Sequence, residues 1–548
     1  RGSHRWKLGG YWYRLQLRPE QPDNARGAFT YTGQFSGNAL ADFLLGYPTS
    51  ATSGIGRGDE DGRTHWFHFY AQDDWRVRSN LTLNVGLRYE YNQHMTDTGN
   101  RLSSIDLSTP GGRFVIASDG AGNINPDAQA LLPFIPLPYV TSEEAGWGRG
   151  LLDPSKVRLA PRVGFALTLD DSRAVIRGGY GIFLNQWAYS VQTAFARNLP
   201  FFFTKQVDVP ADVSVPVFST RDILASNATG TVGASVMDHA FNVEYTQTWS
   251  GGLQYELLPA TMVEVSYMGS WTVGADNATV RNVPEPGPGS IQARRPIPQL
   301  SNINAIRFDG KSIYHGLTFK TQRQLRSNYA FTVSYTLSTS KDDASSPGPT
   351  VAEFNRPQNV RDIFDDEWAN SSFDHRHQFV ASGTYELPFF AGAGGLKEAV
   401  LAGWRLNTIV AMRSGSPFTV NLGVDQANIG AGPAQRPDQL GDPNLPGGQS
   451  TPERWFDTAA FALPAPFTFG SASRNSVIGP GFANLDVGLA KNWALRGSSA
   501  LELRWEVFNV LNRANFDLPD RIFGTPNFGR IFSASAPREM QFGVRLAF

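Results

Sequence analysis

From Ala500 to its last residue the chain alternates apolar and polar side chains with a period of two. Leu501, Leu503, Trp505 and Val507 fall on one parity, and Glu502, Arg504 and Glu506 on the other. Met540, Phe542, Val544, Leu546 and Phe548 then alternate with Glu539, Gln541, Gly543, Arg545 and Ala547. A period of two puts every second side chain on one face of a β-strand, so each segment is expected to be a strand with one greasy and one polar face. A soluble sandwich turns the greasy face inward. An outer-membrane barrel turns it to lipid and keeps the polar face inside. One strand is compatible with both, and the choice depends on how such segments are connected.

The segments come in pairs. A strand from Arg5 to Leu17 is followed by a long connection in which Asn38 to Leu45 reads as a short helix. Thr64 to Val77 and Leu81 to Tyr91 are separated only by Arg78, Ser79 and Asn80, the spacing of a tight hairpin. The same arrangement recurs near Val157 to Leu169 with Arg173 to Leu184, Val243 to Glu256 with Thr261 to Trp271, and Ile313 to Gln324 with Tyr329 to Ser340. His375 to Leu387 and Leu401 to Arg413 meet at the glycine-rich piece Gly392 to Gly395, and Phe482 to Trp493 leads through Arg496 and Gly497 to Ala500. Short turns therefore alternate with long loops rich in Gly, Pro and Asn, and the chain's end falls on the short-turn side. Bacterial outer-membrane barrels have short periplasmic turns and long extracellular loops, an order that a Greek-key sandwich has no reason to keep. Strands of roughly 9 to 11 residues suffice to span when tilted. The expected fold is all-β: an antiparallel transmembrane β-barrel, with about fourteen strands in this chain and long extracellular loops.

Composition agrees. Charged residues are only 18% and aromatics 12%, as suits a lipid-facing surface with aromatic girdles. A net charge of −1 argues against nucleic acid as a partner. The absence of cysteine removes disulfides and thiolate metal sites. No apolar run approaches the length of a membrane-spanning helix.

Several stretches carry a family resemblance. Phe69-Tyr-Ala-Gln-Asp-Asp-Trp75 followed by Leu81-Thr-Leu-Asn-Val-Gly-Leu-Arg-Tyr-Glu90 resembles a signature of TonB-dependent outer-membrane receptors, particularly the Oar-like group. Pro161-Arg-Val-Gly-Phe165, Ser414-Gly-Ser-Pro-Phe-Thr419 and Leu503 to Phe516 are similar to the same group, in the same order along the chain. The closing Gln541-Phe-Gly-Val-Arg-Leu-Ala-Phe548 resembles the signal read by the barrel assembly machinery, which implies Gln541, Gly543, Leu546 and Phe548 as its elements. The resemblance implies a barrel of about 22 strands, an N-terminal plug, a TonB box and a carboxypeptidase-regulatory-like domain ahead of the plug. This sequence shows none of those upstream parts, so residues 1–548 are expected to be the C-terminal barrel portion of a longer receptor. The expected partners are outer-membrane lipid, the assembly machinery, the TonB complex through the missing N-terminal region, and an unidentified solute.

The charges on the polar parity, Arg88, Glu90, Glu264, Lys320, Glu502, Arg504 and Glu506, are expected to line the barrel interior, pairing with one another and with a plug. Asp374, His375 and His377 lack further ligands for a metal. The acidic runs Asp59-Glu60-Asp61 and Asp362 with Asp365-Asp366-Glu367 read as solvated loop tips. Gly392 to Lys397 lacks the spacing of a phosphate loop and reads as a turn. Trp147, Trp187, Tyr189 and Phe201 to Phe203 suit either a capped ligand site or loop packing. No catalytic motif appears, so neither an enzyme nor a cofactor is expected. Energised uptake of a large or scarce solute is the leading expectation; a passive porin-like channel and a surface-display or adhesion scaffold are the alternatives.

Overall fold

The computed structural model describes residues 3–19, 24, 26–156, 158–169, 173–185, 189–209, 213–221, 232–346, 352–353, 357–360, 367–431, 434–495 and 497–548. Fourteen long strands run through one antiparallel sheet: β1 (His4–Leu17), β2 (Gly62–Arg78), β3 (Leu81–Asn92), β4 (Leu159–Leu169), β5 (Ala174–Leu184), β6 (Tyr245–Leu258), β7 (Thr261–Arg281), β8 (Leu300–Arg326), β9 (Tyr329–Asp342), β10 (His377–Glu386), β11 (Trp404–Arg413), β12 (Phe482–Ala494), β13 (Ala500–Phe508) and β14 (Glu539–Ala547). Each pairs with its neighbour in sequence, and the same sheet takes in three short strands from the loops, Thr96–Asp97, Val232–Met237 and Ala369–Asn370.

Short connections lie at one end and long ones at the other, as the spacing requires. Between β8 and β9 the turn is Ser327-Asn328, both with positive φ (55° and 72°), the backbone of a type I′ hairpin turn. The turns at residues 170–172 and at Arg496, which the sequence places at this end, lie outside the described residues. The opposite end carries the described residues among 18–61, 93–158, 185–244, 282–299, 343–376, 414–481 and 509–538.

Register fixes the faces, because directly opposed residues in an antiparallel pair point the same way. One row reads Leu83, Phe165, Gly178, Gly251, Tyr267, Leu317 and Leu337 across seven strands. A second reads Tyr329, Tyr385, Leu406, Leu489, Trp505 and Phe542. The other face carries Gln254, Glu264, Lys320 and Ser334 in one row and Thr384, Asn407, Gly488 and Glu506 in another. The greasy face is solvent-accessible in isolation, as a surface made for lipid must be.

The packed core sits in the long loops rather than on either face of the sheet. Met95, Leu102, Val115, Leu152, Phe195 and Met237 join the loops at residues 93–158 and 185–244. Phe418, Val420, Phe456, Phe461 and Val477, with Leu518 and Phe528, join 414–481 to 509–538. Val280, Val283, Val360, Ala427 and Ile429 tie these loops to 282–299 and 343–376. The loops thus form a folded layer over one end of the sheet.

Three local readings need correction. β7 and β8 run ten residues or more beyond Trp271 and before Ile313, because register shifts at Val273/Ala275 and Ala275/Asp276 break the period of two there. Beyond the break, Val280, Leu300, Ile303 and Ala305 are buried in the loop layer instead of facing lipid. Gly392 to Lys397 is not simply a turn, and no strand begins at Leu401: a helix, α1 (Gly395–Leu401), follows the glycines and β11 begins at Trp404. Glu398 accepts hydrogen bonds from the backbone N–H groups of Gly392 and Gly394, and Trp493 donates its indole N–H to the carbonyl of Ala399. The expected helix near Asn38 is present as Ala39–Leu45, with the Asn38 side chain accepting from the backbone N–H groups of Leu40 and Ala41.

Candidate functional site

Two structures deserve consideration as the working parts: the polar face of the sheet and the loop layer over it. On the polar face, the charges expected from sequence fall into three groups. Arg88 and Glu90 form an ion pair on β3, and Arg88 also hydrogen-bonds His68 of β2 at 2.9 Å, with His68 in turn joined to Asn92 at 2.6 Å. Glu264 accepts a hydrogen bond from Gln254 at 2.8 Å and lies opposite Lys320. Glu502, Arg504 and Glu506 line a cavity of about 350 Å³ with Arg405 and Asn407 of β11. Arg504 pairs with Glu502, and Gln541 donates to Glu506. Two pairs of opposite sign meet directly, Arg88 with Glu90 and Arg504 with Glu502, on a polar surface able to hold polar groups. Arg405, Asn407 and the Lys7–Asp74 ion pair (2.7 Å) belong to the same face. Their parity places them there, but the sequence reading did not single them out.

Of the four C-terminal residues, Gln541 and Gly543 are on the polar face, opposite Glu506 and Arg504, and Leu546 is on the greasy face opposite Leu501. Phe548 is 96% exposed just past the end of β14.

The residues weighed as metal ligands point elsewhere. His375 Nδ1 lies 2.8 Å from the Ser414 carbonyl, His377 Nδ1 lies 2.7 Å from the Tyr335 hydroxyl, and Asp374 accepts the Ser340 N–H at 2.9 Å. Asp59 pairs with Arg57 and Arg101. Asp61 takes Gln16, Arg18 and Arg63, and the Arg18 hydrogen bond leads in holding its carboxyl far below the usual carboxylate range. Glu367 pairs with Arg436 at 2.8 Å, while Asp362, Asp365 and Asp366 lie outside the described residues. Among the described residues no cluster has the ligands for a metal ion.

The loop aromatics pack inward. Trp147 stacks on His239 at 4.3 Å, the Tyr189 hydroxyl bonds to the Gln93 carbonyl at 2.7 Å, and Phe201 and Phe202 are buried; Trp187 lies outside the described residues. At the edge of this packing a cavity of about 290 Å³ is lined by Arg57, Asp59, Arg101, Asp127, Leu131 and Phe201.

Two features of the layer depart from what the sequence suggested, and they correct the reading of the acidic runs as solvated loop tips, since Glu60 and Glu367 are each 3% exposed. One is an ionic hub: Arg474, 4% exposed at its side chain, reaches Glu353 at 2.6 Å and Asp342, and donates to the Glu367 carbonyl at 2.9 Å. Asn475 and Thr419 extend the hub. Arg474 is over a hundred positions in sequence from both Glu353 and Asp342, the last residue of β9. The other is Glu60. It is 3% exposed and neither carboxylate oxygen meets a hydrogen-bond donor among the described residues. Burial, with the Asp97 charge adding to it, pushes its carboxyl up to about 7. Asp343, also buried, is pushed up to about 6. A carboxyl raised in the folded state stabilises the fold below its unfolded value, and that contribution is lost as pH rises through the folded value. The loop layer is therefore expected to lose up to about 3 kcal/mol between pH 4.5 and 8 through Glu60. Glu60→Gln should flatten that part of the profile, as read by hydrogen exchange of residues 93–158 at the two pH values.

The family follows from a comparison made with the whole chain. A family model described as an outer membrane beta barrel domain matches residues 1–541. The chain belongs to that family. Its place is the outer membrane of Gram-negative bacteria. Among solved structures, this outer-membrane barrel is similar to the outer membrane transporter YddB from Escherichia coli at 12% identity and a TM-score of 0.54, covering 99% of this chain and 51% of that one. The siderophore receptor PirA from Acinetobacter baumannii matches at 8% identity (TM-score 0.44; 98% and 51% covered), and the FrpB iron transporter from Neisseria meningitidis at 12% (0.41; 99% and 54%). No curated protein sequence matches. The barrel chain spans about half the length of these solved structures.

Proposed function

We propose that this chain is the barrel portion of an outer-membrane receptor that takes up a large or scarce solute with energy delivered through TonB. The observation that carries the reading is the pairing of a charged interior face with a folded, ion-stapled loop layer above it, on a fold similar to that of an outer membrane transporter. A wide polar passage suits polar cargo, and a packed layer at its outer end suits selection rather than free diffusion. The likeness of the signature stretches to the Oar-like group supports a plug, a TonB box and a regulatory-like domain upstream. Further strands beyond β1 and β14 would complete a barrel of about 22.

In this reading Arg88, Glu90, Glu264, Lys320, Glu502, Arg504 and Glu506 line the passage. Gln541, Gly543, Leu546 and Phe548 are read by the assembly machinery, and the protein transports rather than catalyses. Solute uptake by cells carrying the full-length protein tests it. Uptake should saturate and should cease when TonB is removed. Uptake that stays linear in solute concentration and indifferent to TonB would instead mean a passive channel.

A further inference from the structure

The polar face is not alike on every strand. On β6 and β9 it carries small hydroxylated side chains, Thr246, Thr248 and Ser250 on the first and Ser334, Thr336 and Ser338 on the second. On β1 and β2 the same face carries rings. Tyr13 lies opposite Trp66, Tyr11 opposite His68, and Gly9 opposite Tyr70. Their parity is that of Asn92, Glu90 and Arg88 on β3, which oppose Trp66, His68 and Tyr70 in turn. The greasy-face aromatics of these two strands, Trp12, Phe67 and Phe69, fall on the other parity.

The rings form a continuous rail. Trp66 stacks 6.1 Å from Tyr189 of the loop layer, and its indole N–H donates to the Tyr189 hydroxyl at 2.9 Å. Tyr13 tilts against Trp66 at 5.2 Å, and Tyr11 against His68 at 4.5 Å. From Trp66 to Tyr70 is four residues of β2, about 14 Å of strand. The rail therefore runs from the loop layer towards the short-turn end. Its lower end depends on Gly9, where a Cβ would stand 2.5 Å from the Tyr70 ring that covers the position. Tyr11, Tyr13 and Tyr70 are 41–47% exposed, and their hydroxyls have no hydrogen-bond partner among the described residues.

The charges nearest the rings are paired. Arg88 joins Glu90, hydrogen-bonds His68 at 2.9 Å and lies 6.0 Å from the centre of the Tyr11 ring, while Lys7 joins Asp74. Such a wall favours an ion of neither sign. It offers ring faces with hydrogen-bonding groups at their edges. An uncharged sugar has the matching chemistry, because the weakly positive C–H groups of its ring settle on the negative face of an aromatic ring and its hydroxyls both donate and accept.

We propose, on the reading of the polar face as a solute passage, that this rail is a binding site for an uncharged oligosaccharide. Successive sugars stack on Tyr13, Tyr11 and Tyr70, and their hydroxyls bond to the tyrosine hydroxyls, Arg88 and Glu90. A row of rings also allows movement, since a bound chain can step from one ring to the next without leaving the wall.

The test uses the full-length protein purified in detergent, with maltohexaose, cellohexaose and xylohexaose as probes in a titration calorimeter. At least one of them should bind. Hexagalacturonate, which carries a carboxylate on every sugar, should not. Tyr11→Ala and Tyr13→Ala should each weaken binding by about tenfold or more, whereas Trp12→Ala, between them on the greasy face, should leave it unchanged. Binding of none of the uncharged probes, equal binding of hexagalacturonate, or unchanged affinity in both tyrosine variants would overturn the proposal. If no sugar binds and the tyrosine variants melt lower than wild type, the rings serve as a contact for an upstream plug instead. The sugar comparison needs no substitution, so it stands even if a tyrosine variant fails to assemble. Binding in detergent does not require TonB: sugar binding with TonB-independent uptake would sink only the energised-uptake reading, and TonB-dependent uptake without sugar binding would sink only this site.

Discussion

Replacing Arg474 with alanine is expected to loosen the loop layer by about 3 to 5 kcal/mol while leaving the barrel assembled. The guanidinium is almost wholly buried, and both of its carboxylate partners, Asp342 and Glu353, have side chains only 2% exposed. Taken alone, such a buried pair adds little to stability, because desolvation offsets its attraction. Removing one member is another matter: two buried carboxylates then lose the guanidinium they share, and the Ser345 hydroxyl and the Glu367 carbonyl lose a donor. The damage should stay within the layer. The hub joins the end of β9 to loops 343–376 and 414–481, and it touches the ladders of the long strands only at Asp342, the last residue of β9. Hydrogen exchange should therefore rise in residues 414–481 and not in β4 to β7, and the protein should keep its shift on gels before and after boiling. Unchanged exchange in that loop would show that the hub holds nothing in place.

The second large effect tests the sheet. Val487 lies near the middle of β12 on the greasy face, between Thr408 and Val507. Val487→Arg puts a charge towards the membrane midplane and is expected to cost about 2 to 4 kcal/mol. Gly488→Arg adds the same charge one residue along, on the polar face. There a Cβ meets the Glu506 Cγ at 3.7 Å and the Asn407 Cβ at 3.9 Å, ordinary contacts, and Glu506 supplies an opposite charge. That variant should stay within about 0.5 kcal/mol of wild type. Urea midpoints of the two proteins folded in lipid vesicles measure the difference.

The sheet was legible because lipid on one side and polar groups on the other impose one rule on every strand. Leu485, Val487 and Leu489 against Asn484, Asp486 and Gly488 state that rule without reference to any distant residue. It stopped being legible where the rule stops. At Gly274 and Gly310 the ladder shifts, and the upper parts of β7 and β8 pack against loops, so their apolar residues no longer follow parity. Between β10 and β11, a helix anchored by Glu398 and Trp493 occupies a stretch whose glycines suggested only a turn.

The charged positions of the polar face were readable as a class, since parity alone assigns Glu264 and Lys320 to it. Their partners needed the register between strands. The loop layer was least legible. Arg474 and Glu60 sit in sequence contexts that look like solvated loop, and only the folded arrangement takes them out of water.

The account rests most heavily on which face meets lipid, and the chain offers a direct way to ask, since it contains no cysteine. Single cysteines placed at Val487 and at Gly488 can each be challenged, in isolated outer membranes, with a water-soluble thiol reagent and with one that partitions into lipid. Gly488→Cys should react with the first and Val487→Cys only with the second. Faster aqueous labelling at Val487 than at Gly488 would mean that the greasy face is not the one turned to the membrane.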